Sequence, residues 1–180
     1  MSQAAAFVIL IGGALTFAGI SCKDQGAENA PKQISTDVQL FKLVTEGQPF
    51  SSYVLFPNAD SVTSGTLNGS TAHQPLVRVS MNAIALRALQ NGRLPSGTKF
   101  PEGSIIFKEI RTSNGFATLY AVIYKESNNP LANNGWLWAE YSPDGAVAFS
   151  IASRGSGCVG CHSREQGPQN DFVRTFERQH

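Results

Sequence analysis

The alternation of apolar and polar positions divides the chain into three parts. Residues 4–20 are almost entirely apolar, whereas residues 23–34 are polar, contain Gly and Pro, and show no periodicity. From Ser35 onward, apolar residues recur with the periods of helices and strands. The pattern therefore predicts a targeting segment over 1–22, a tether over 23–34 and one folded domain over 35–180.

Three short helices are predicted in the folded part. Ser35 or Thr36 caps the first, which ends at Gly47, and Asn82 caps the second. The third covers 171–178, close to the end of the chain. Each has an apolar face that can cover a sheet. These faces consist of Leu40, Phe41 and Val44 in the first helix, Ile84, Ala85, Ala88 and Leu89 in the second, and Phe172, Val173 and Phe176 in the third.

Segments with strand character account for most of the remaining positions. Residues 76–81 alternate between apolar and polar, and three later segments are rich in β-branched and aromatic residues. These are 104–111, 117–125 and 135–141, and 146–152 extends the same sheet. Because only short breaks containing Asn, Gly and Pro separate them, successive strands are expected to run antiparallel. The predicted fold class is α+β, mainly β, with an antiparallel sheet and flanking short helices.

Composition and charge exclude several classes of function. The chain has 180 residues, of which 42% are hydrophobic and 15% charged, so it can bury the core of one domain. Its formal net charge is only +1, and lysine and arginine are dispersed along the sequence. This dispersion leaves no basic stripe for nucleic acid and no polybasic patch for a membrane surface. The expected partner is a small-molecule substrate or a gas ligand.

The apolar N-terminal segment is typical of an export signal. It ends at Ser21-Cys22, which resembles the acylation site of bacterial lipoproteins, although Gly19 stands where a leucine-like residue is usual. Three outcomes stay open: acylation of Cys22, cleavage by an ordinary signal peptidase, and retention as a helical anchor. Each predicts a working domain in the periplasm or cell envelope, where membrane contact is made only through the N-terminus.

Two of the three cysteines form a Cys-x-x-Cys-His motif near the C-terminus, made by Cys158, Cys161 and His162. This is the attachment sequence of c-type haem: both thiols form thioethers with the haem vinyl groups, and the adjacent histidine ligates the iron. A structural zinc site is an alternative, but it requires four ligands. The remaining candidates for it are Cys22, His73 and His180. A redox-active or plain disulfide is the other alternative. The motif favours a single, covalently attached haem c.

The second axial position of that iron has few candidate ligands in the sequence. They are Met81, His73 and His180. Met81 lies on the same face of its predicted strand as Val77 and Val79, which favours a core position. His180 is the last residue, where chains fray. The scarcity predicts an open iron position. Open iron suits small-molecule chemistry or gas binding better than electron transfer alone.

Lys108 is a charged residue on what the pattern predicts to be the apolar face of a strand. On the predicted strand 104–111 it shares a face with Ile106 and Ile110, so the alternation directs its amine toward an apolar surface. The alternative is a lysine at an exposed sheet edge whose amine extends to solvent, and the neighbouring Glu109 leaves the register open to that interpretation.

Several features taken together resemble one family. They are residues 100–109 (FPEGSIIFKE), the strand with Trp136 and Trp138, the haem motif, and the closing segment 171–173. In this order and spacing, over residues 35–178, the chain resembles the cytochrome P-460 family. The haem motif alone is common to many cytochromes, whereas a Pro-Glu-Gly turn leading into a Lys-Glu strand is more selective.

The resemblance implies a mostly antiparallel β fold that is often dimeric. It also implies a covalent bond between the haem edge and a strand lysine, and Lys108 stands at the matching position. Such a bond would change the electron richness of the macrocycle. The activity that the resemblance implies is oxidation of hydroxylamine, with nitric oxide chemistry nearby.

The distal pocket stays unassigned at this level. Arg78 lies in a predicted strand but alternates with its apolar neighbours, and Arg154 lies in the Gly-rich approach to the haem motif. Related cytochromes of the c-prime-beta type share the fold, line the distal side with apolar rings and bind nitric oxide without turnover. The 11 phenylalanines of this chain are compatible with that alternative.

The leading hypothesis is an exported mono-haem cytochrome that oxidises hydroxylamine or a related small nitrogen compound and passes electrons to a soluble redox partner. Its site residues are Cys158, Cys161, His162 and Lys108. The first alternative is a gas-binding haem protein without turnover. The second is a simple electron carrier with Met81 or His73 on the iron.

Overall fold

A seven-stranded antiparallel sheet organises residues 33–180, the part of the chain that the computed structural model describes. The strands are β1 (Val54–Leu55), β2 (Thr63–Ser64), β3 (Leu76–Met81), β4 (Ile105–Arg111), β5 (Ala117–Lys125), β6 (Trp136–Tyr141) and β7 (Val147–Phe149). Their order is β1-β3-β4-β5-β6-β7, and β2 also pairs with β3. The predicted mainly β fold class is thereby confirmed. The targeting segment 1–22 and the tether 23–34 lie outside the described residues, except for residues 33 and 34.

The four longest strands fall where alternation, or a high content of β-branched and aromatic residues, predicts them. β3 and β5 have the predicted bounds, and β4 and β6 each begin one residue later than predicted. The sequence pattern does not predict β1 and β2, because a strand of two residues is too short to show alternation. β2 lies inside the segment 61–69, which has the composition of a loop.

Short helices flank the sheet. They are α1 (Asp37–Lys42), which a π-helical turn over Leu43–Gly47 continues, α2 (Ala83–Arg87) and α3 (Val159–His162). Short 3₁₀ turns cover Phe50–Ser52, Ile151–Ser153, Pro168–Asn170 and Arg174–Arg178. The predicted N-caps of α1 and α2 form: Thr36 accepts a hydrogen bond from the Gln39 amide, and Asn82 accepts one from the Ala85 amide. Within residues 33–180, no helix is long and apolar enough to cross a membrane.

One face of the sheet is covered by the first helical segment. Leu40 and Val44 are fully buried there, as the apolar face of that helix predicts. They pack in a cluster with sheet residues such as Phe107, whose ring stacks on Phe50 at 4.3 Å between centroids. Burying this face gives the sheet a rigid backing, because closely packed side chains cannot shift independently.

The opposite face carries the row of residues that matters for the site. Strand register places Val79, Lys108, Ala121 and Glu140 directly side by side across β3, β4, β5 and β6. Residues in register in antiparallel strands point to the same face. Two ionisable side chains therefore stand on an otherwise apolar surface, separated by the small side chain of Ala121.

The predicted C-terminal helix over 171–178 is wrong. Asp171 and Phe172 have φ values of 50° and 67°, which are left-handed and interrupt a helix. The Asp171 carboxylate lies in the core, where its Oδ2 accepts hydrogen bonds from Lys125 Nζ at 2.8 Å and from the Phe100 amide at 3.0 Å. These tertiary contacts outweigh the local helical pattern, and only Arg174–Arg178 forms a 3₁₀ turn.

Two other boundaries also differ from the prediction. The strand predicted over 146–152 ends at Phe149, because the Asp37 carboxylate accepts hydrogen bonds from the Ile151 amide and the Ser150 hydroxyl and bends the chain into a 3₁₀ turn. The second helix ends at Arg87, before the predicted apolar positions at Ala88 and Leu89.

Candidate functional site

The Cys-x-x-Cys-His motif forms a single helical turn beside the sheet. Gly155 leads into it with φ 64°, and a Cβ there would lie 2.6 Å from a Trp138 ring carbon, so only glycine permits this approach. Cys158 and Cys161 are both half-buried, and neither forms a disulfide. The turn is closed by a hydrogen bond from the His162 amide to the Cys158 carbonyl at 3.0 Å. Both thiols and the imidazole line one cavity.

The His162 ring is held in one orientation and one tautomer. Its Nδ1 lies 2.6 Å from the Phe172 carbonyl oxygen, which can only accept, so Nδ1 carries the proton. The lone pair of Nε2 is then available to a metal. Trp138 contacts the ring edge-on, at 4.9 Å between centroids and an interplanar angle of 76°. Burial, and then the Lys108 charge, lowers the pKa of His162 to about 3, so the ring is neutral at physiological pH.

The cavity has a volume of about 290 Å³ and lies between the motif and the sheet. Its lining is mainly apolar on the sheet side, from residues such as Val77, Val79, Ile106, Ile123 and Trp138. The segment 65–73 and the C-terminal residues 173–178 supply further lining residues. A largely apolar cavity with a few convergent polar groups is the usual form of a cofactor or ligand site.

Lys108 lines this cavity, so its side chain points inward from β4. The interpretation of Lys108 as a solvent-extended lysine at a sheet edge is wrong, because β4 lies between β3 and β5. Burial, together with the Arg178 charge, lowers the pKa of Lys108 to about 8. A substantial fraction of this amine is therefore neutral near pH 8.

Two further ionisable residues are linked to Lys108 by hydrogen bonds, His73 directly and Glu140 through His73. The Lys108 Nζ lies 3.1 Å from His73 Nδ1, and His73 Nε2 lies 3.3 Å from Glu140 Oε1. The three side chains thus form a continuous hydrogen-bonded chain inside the cavity. From the sequence, His73 is a candidate only as an iron ligand, and Glu140 is not among the candidate site residues. The sequence does contain an indication of Glu140, because its carboxylate shares one face of a strand with Trp136 and Trp138.

The segment that carries His73 folds back sharply at Gly65. The Gly65 amide donates to the Pro75 carbonyl at 2.8 Å, and a Cβ on Gly65 would lie 1.7 Å from the His73 carbonyl oxygen. No side chain other than hydrogen fits at that position. The close approach of these two backbones places His73 over the row that contains Lys108 and Glu140.

The sequence model of the cytochrome P-460 family matches residues 59–175, a span that includes Lys108 and the whole haem motif. The chain belongs to this family. Among curated proteins, none matches the sequence significantly. Membership of the cytochrome P-460 family confirms the resemblance found in the sequence and makes haem the cofactor of the chain.

The cavity suits a haem in its donor set and its charge. Paired thiols and a neutral imidazole face an apolar space, which matches a flat apolar macrocycle with two thioether bonds and one axial nitrogen. Haem also carries carboxylates, and the cavity wall includes the cations Arg174 and Arg178. Across residues 33–180, no group of three or more His, Cys, Asp or Glu side chains could hold a metal ion by itself.

Arg174 fixes the position of the motif from the C-terminal side. Its Nη1 lies 3.3 Å from both the carbonyl oxygen and the Sγ of Cys161, and its Nη2 lies 2.8 Å from Glu177 Oε2 and also contacts Glu165. Arg178 reaches the other wall, where its Nη2 donates to the Thr66 carbonyl at 2.5 Å. Neither arginine is predicted as a site residue, because the sequence pattern at the end of the chain predicts a regular helix.

The other candidates from the sequence lie away from the cavity. Met81 is fully buried in the core and does not line the cavity, as its strand position predicts. His180 is exposed and lies 3.3 Å from Asp60. Arg78 is paired with Glu109 on the opposite face, and Arg154 is exposed. Phe149 is the one phenylalanine among the lining residues of the described chain, so the high phenylalanine content says nothing about the pocket.

Proposed function

We propose that the chain is an exported, mono-haem c-type cytochrome that oxidises hydroxylamine or a related small nitrogen compound at an open haem iron. The observation that carries this proposal is the hydrogen-bonded chain of Lys108, His73 and Glu140 in the cavity that also contains the Cys-x-x-Cys-His motif. Family membership supports haem as the cofactor.

The motif supplies the attachment. Cys158 and Cys161 would form the thioethers, and His162 would ligate the iron through Nε2, because the Phe172 carbonyl holds the proton on Nδ1. The hydrogen bond at Nδ1 also raises the basicity of the ligating nitrogen. When bound there, haem supplies an iron site for a small ligand and an acceptor for its electrons.

None of the candidate second ligands named from the sequence is free to bind the iron. Met81 and His180 lie outside the cavity lining, and both ring nitrogens of His73 are engaged, one with Lys108 and one with Glu140. This arrangement supports an open iron and disfavours the simple electron carrier. A small nitrogen compound would therefore meet no protein ligand that it must displace.

The cavity also contains groups that can accept protons. Hydroxylamine loses hydrogens as it is oxidised, so its oxidation needs a proton acceptor next to the site of electron removal. The Glu140 carboxylate lines the cavity, and its side chain keeps 23% exposure, which connects it to solvent. Glu140 can therefore take a proton from the substrate and release it to water.

Lys108 would form the covalent bond to the haem edge that is characteristic of the family. Its inward direction and its lowered pKa both support this role, because a bond-forming amine must be neutral. The electrons would leave through a soluble redox partner. The proposed location is the periplasm or cell envelope, and the proposed assembly is a homodimer.

Glutamine at position 140 tests the proposed oxidation. In Glu140→Gln, we expect hydroxylamine consumption with an artificial electron acceptor to fall by roughly 10²-fold, the usual contribution of a positioned base. Haem content should stay unchanged, because the Glu140 carboxylate is hydrogen-bonded to His73 and not to the attachment motif. Glu46→Gln, at an exposed position, is the matched control and should retain full activity.

A haem-loaded wild-type protein that binds nitric oxide but leaves hydroxylamine unconsumed contradicts this proposal. That result would instead support the gas-binding alternative of the c-prime-beta type. The mainly apolar lining of the sheet side of the cavity is the observation that favours this second candidate.

Alanine at position 108 tests the cross-link. The wild-type protein should show an abnormal, red-shifted Soret band that survives denaturation, because the bond changes the macrocycle itself. Lys108→Ala should restore an ordinary c-type spectrum, while Lys99→Ala, at an exposed position, should leave the abnormal band in place. An unchanged spectrum in Lys108→Ala would show that the lysine is not bonded to the haem.

A further inference from the structure

The hydrogen-bonded chain of Lys108, His73 and Glu140 has a defined direction. A carboxylate can only accept, so the 3.3 Å contact between Glu140 Oε1 and His73 Nε2 places the histidine proton on Nε2. Nδ1 of a neutral His73 then carries a lone pair and accepts from Lys108 Nζ at 3.1 Å. Geometry alone thus makes His73 a proton acceptor aimed at the Lys108 amine.

The electrostatics of the site agree with that direction. Burial, and then the Lys108 charge, lowers the pKa of His73 below its usual value, so the ring is neutral and free to accept. Once His73 holds a second proton, the Glu140 carboxylate stabilises the cation. Lys108, His73 and Glu140 would thus act as nucleophile, base and orienting carboxylate. The same three roles occur in triads of serine or cysteine with histidine and a carboxylate.

The hydrogen-bonded chain of Lys108, His73 and Glu140 also reaches solvent. The side chains of His73 and Glu140 keep 20% and 23% exposure, so both are in contact with solvent. A proton taken from Lys108 can therefore pass outward through His73 to water. No comparable route starts at Lys125, which is buried in the core with its amine bound to Asp171.

We propose that His73, oriented by Glu140, is the base that removes the proton from Lys108 when this lysine forms its bond to the haem edge. The inference rests on the cross-link in the proposed function and adds to it the residues that make the bond. His73 is a catalytic residue of this maturation step, because it touches the reacting amine, and Glu140 is a positioning residue for it.

The step balances with a peroxide as oxidant. A protonated Lys108 first gives one proton to His73, which passes it to solvent. The neutral amine then loses one N–H hydrogen, a haem-edge carbon loses its C–H hydrogen, and an N–C bond forms between them. The two protons and two electrons released reduce one hydrogen peroxide to two waters. Lysine and the haem carbon are oxidised, and peroxide is reduced.

The test follows bond formation directly. The full chain is loaded with haem under exclusion of oxidant, and stoichiometric hydrogen peroxide is then added. Cross-linking is read from the rate at which the Soret band shifts. It is also read from mass spectrometry of a digest, in which the peptide with Lys108 becomes joined through haem to the peptide with Cys158 and Cys161. Neither readout requires hydroxylamine turnover.

Three variants separate a base from a spacer. His73→Gln keeps a hydrogen-bond acceptor for Lys108 but cannot take a proton, and we expect cross-linking to slow by roughly 10²-fold. His73→Phe keeps the ring volume and should slow it to a similar extent. Glu140→Gln should slow it less, because the base remains. His180→Gln, at the exposed terminal histidine, is the matched control and should react like wild type.

Cross-linking of His73→Gln and His73→Phe at the wild-type rate would overturn the inference and leave the cross-link itself intact. A wild-type protein that never forms the joined peptide would overturn both the cross-link and this inference. Slow cross-linking only in His73→Phe, with His73→Gln at the wild-type rate, would also overturn it, since the histidine would then act as a hydrogen-bond acceptor alone.

Discussion

A chain in which alanine replaces both Cys158 and Cys161 is expected to lose nearly all covalently bound haem. Both thiols line the cavity, both are free, and each would supply one thioether. Without them the haem can be held by His162, Lys108, the arginines of the cavity wall and apolar contacts. The measurement is the haem absorbance that stays with the polypeptide after acidic extraction with an organic solvent.

Two further variants test whether the loss of haem is specific to the thiols of the motif. Cys22→Ser removes the third cysteine, which lies outside the motif, and should leave the haem content unchanged. In the double variant, any residual covalent haem should disappear when Lys108→Ala is added, because that lysine would be the last remaining bond. Full retention of haem in the triple variant would mean that attachment occurs elsewhere.

Replacing Lys125 with methionine should destabilise the protein by roughly 3–5 kcal/mol, the usual cost of breaking a buried ion pair. Lys125 and Asp171 have side-chain exposures of 3% and 0%, and their charged atoms lie 2.8 Å apart. The lysine amine also lies 4.8 Å from the centre of the Trp136 ring. Methionine preserves most of the volume but leaves the Asp171 carboxylate buried without its cation.

Breaking the Lys125–Asp171 pair should also disturb the orientation of His162 in the site. Asp171 sets the left-handed turn from which Phe172 presents its carbonyl to His162, and the Asp171 carbonyl also accepts from Trp136 Nε1 at 2.9 Å. Urea unfolding of the haem-loaded protein, followed by far-ultraviolet circular dichroism, measures the change. Lys99→Met, at an exposed position, should change the stability by no more than about 0.5 kcal/mol. A change below about 1 kcal/mol in Lys125→Met would show that the pair does not hold this turn.

Much of the sheet could be predicted from the sequence. Alternation located β3, and β-branched and aromatic residues located β4, β5 and β6, all within one residue, because these residue patterns suit a sheet with at least one buried face. The inward direction of Lys108 followed from the same alternation, since it shares a face with Ile106 and Ile110. The haem motif needed no structure at all, because its chemistry depends only on local spacing.

The C-terminal segment shows where local pattern fails. Phe172, Val173 and Phe176 have helical spacing, yet Asp171 is drawn into the core by Lys125 and the backbone turns left-handed there. That partner lies 46 residues away in sequence. A buried ion pair between distant residues leaves no periodic signal, and its energy exceeds the small preference of a short segment for helix.

Local information thus specifies the strands, the attachment motif and the face on which Lys108 stands, because alternation and short spacings are properties of neighbouring residues. The cavity depends on contacts that neighbours do not encode. Cross-strand register brings Glu140 level with Lys108, and the return of the chain at Gly65 lays His73 between them. Register and loop closure are settled by packing over the whole sheet, and for that reason only the tertiary structure assembles the three residues into one hydrogen-bonded chain.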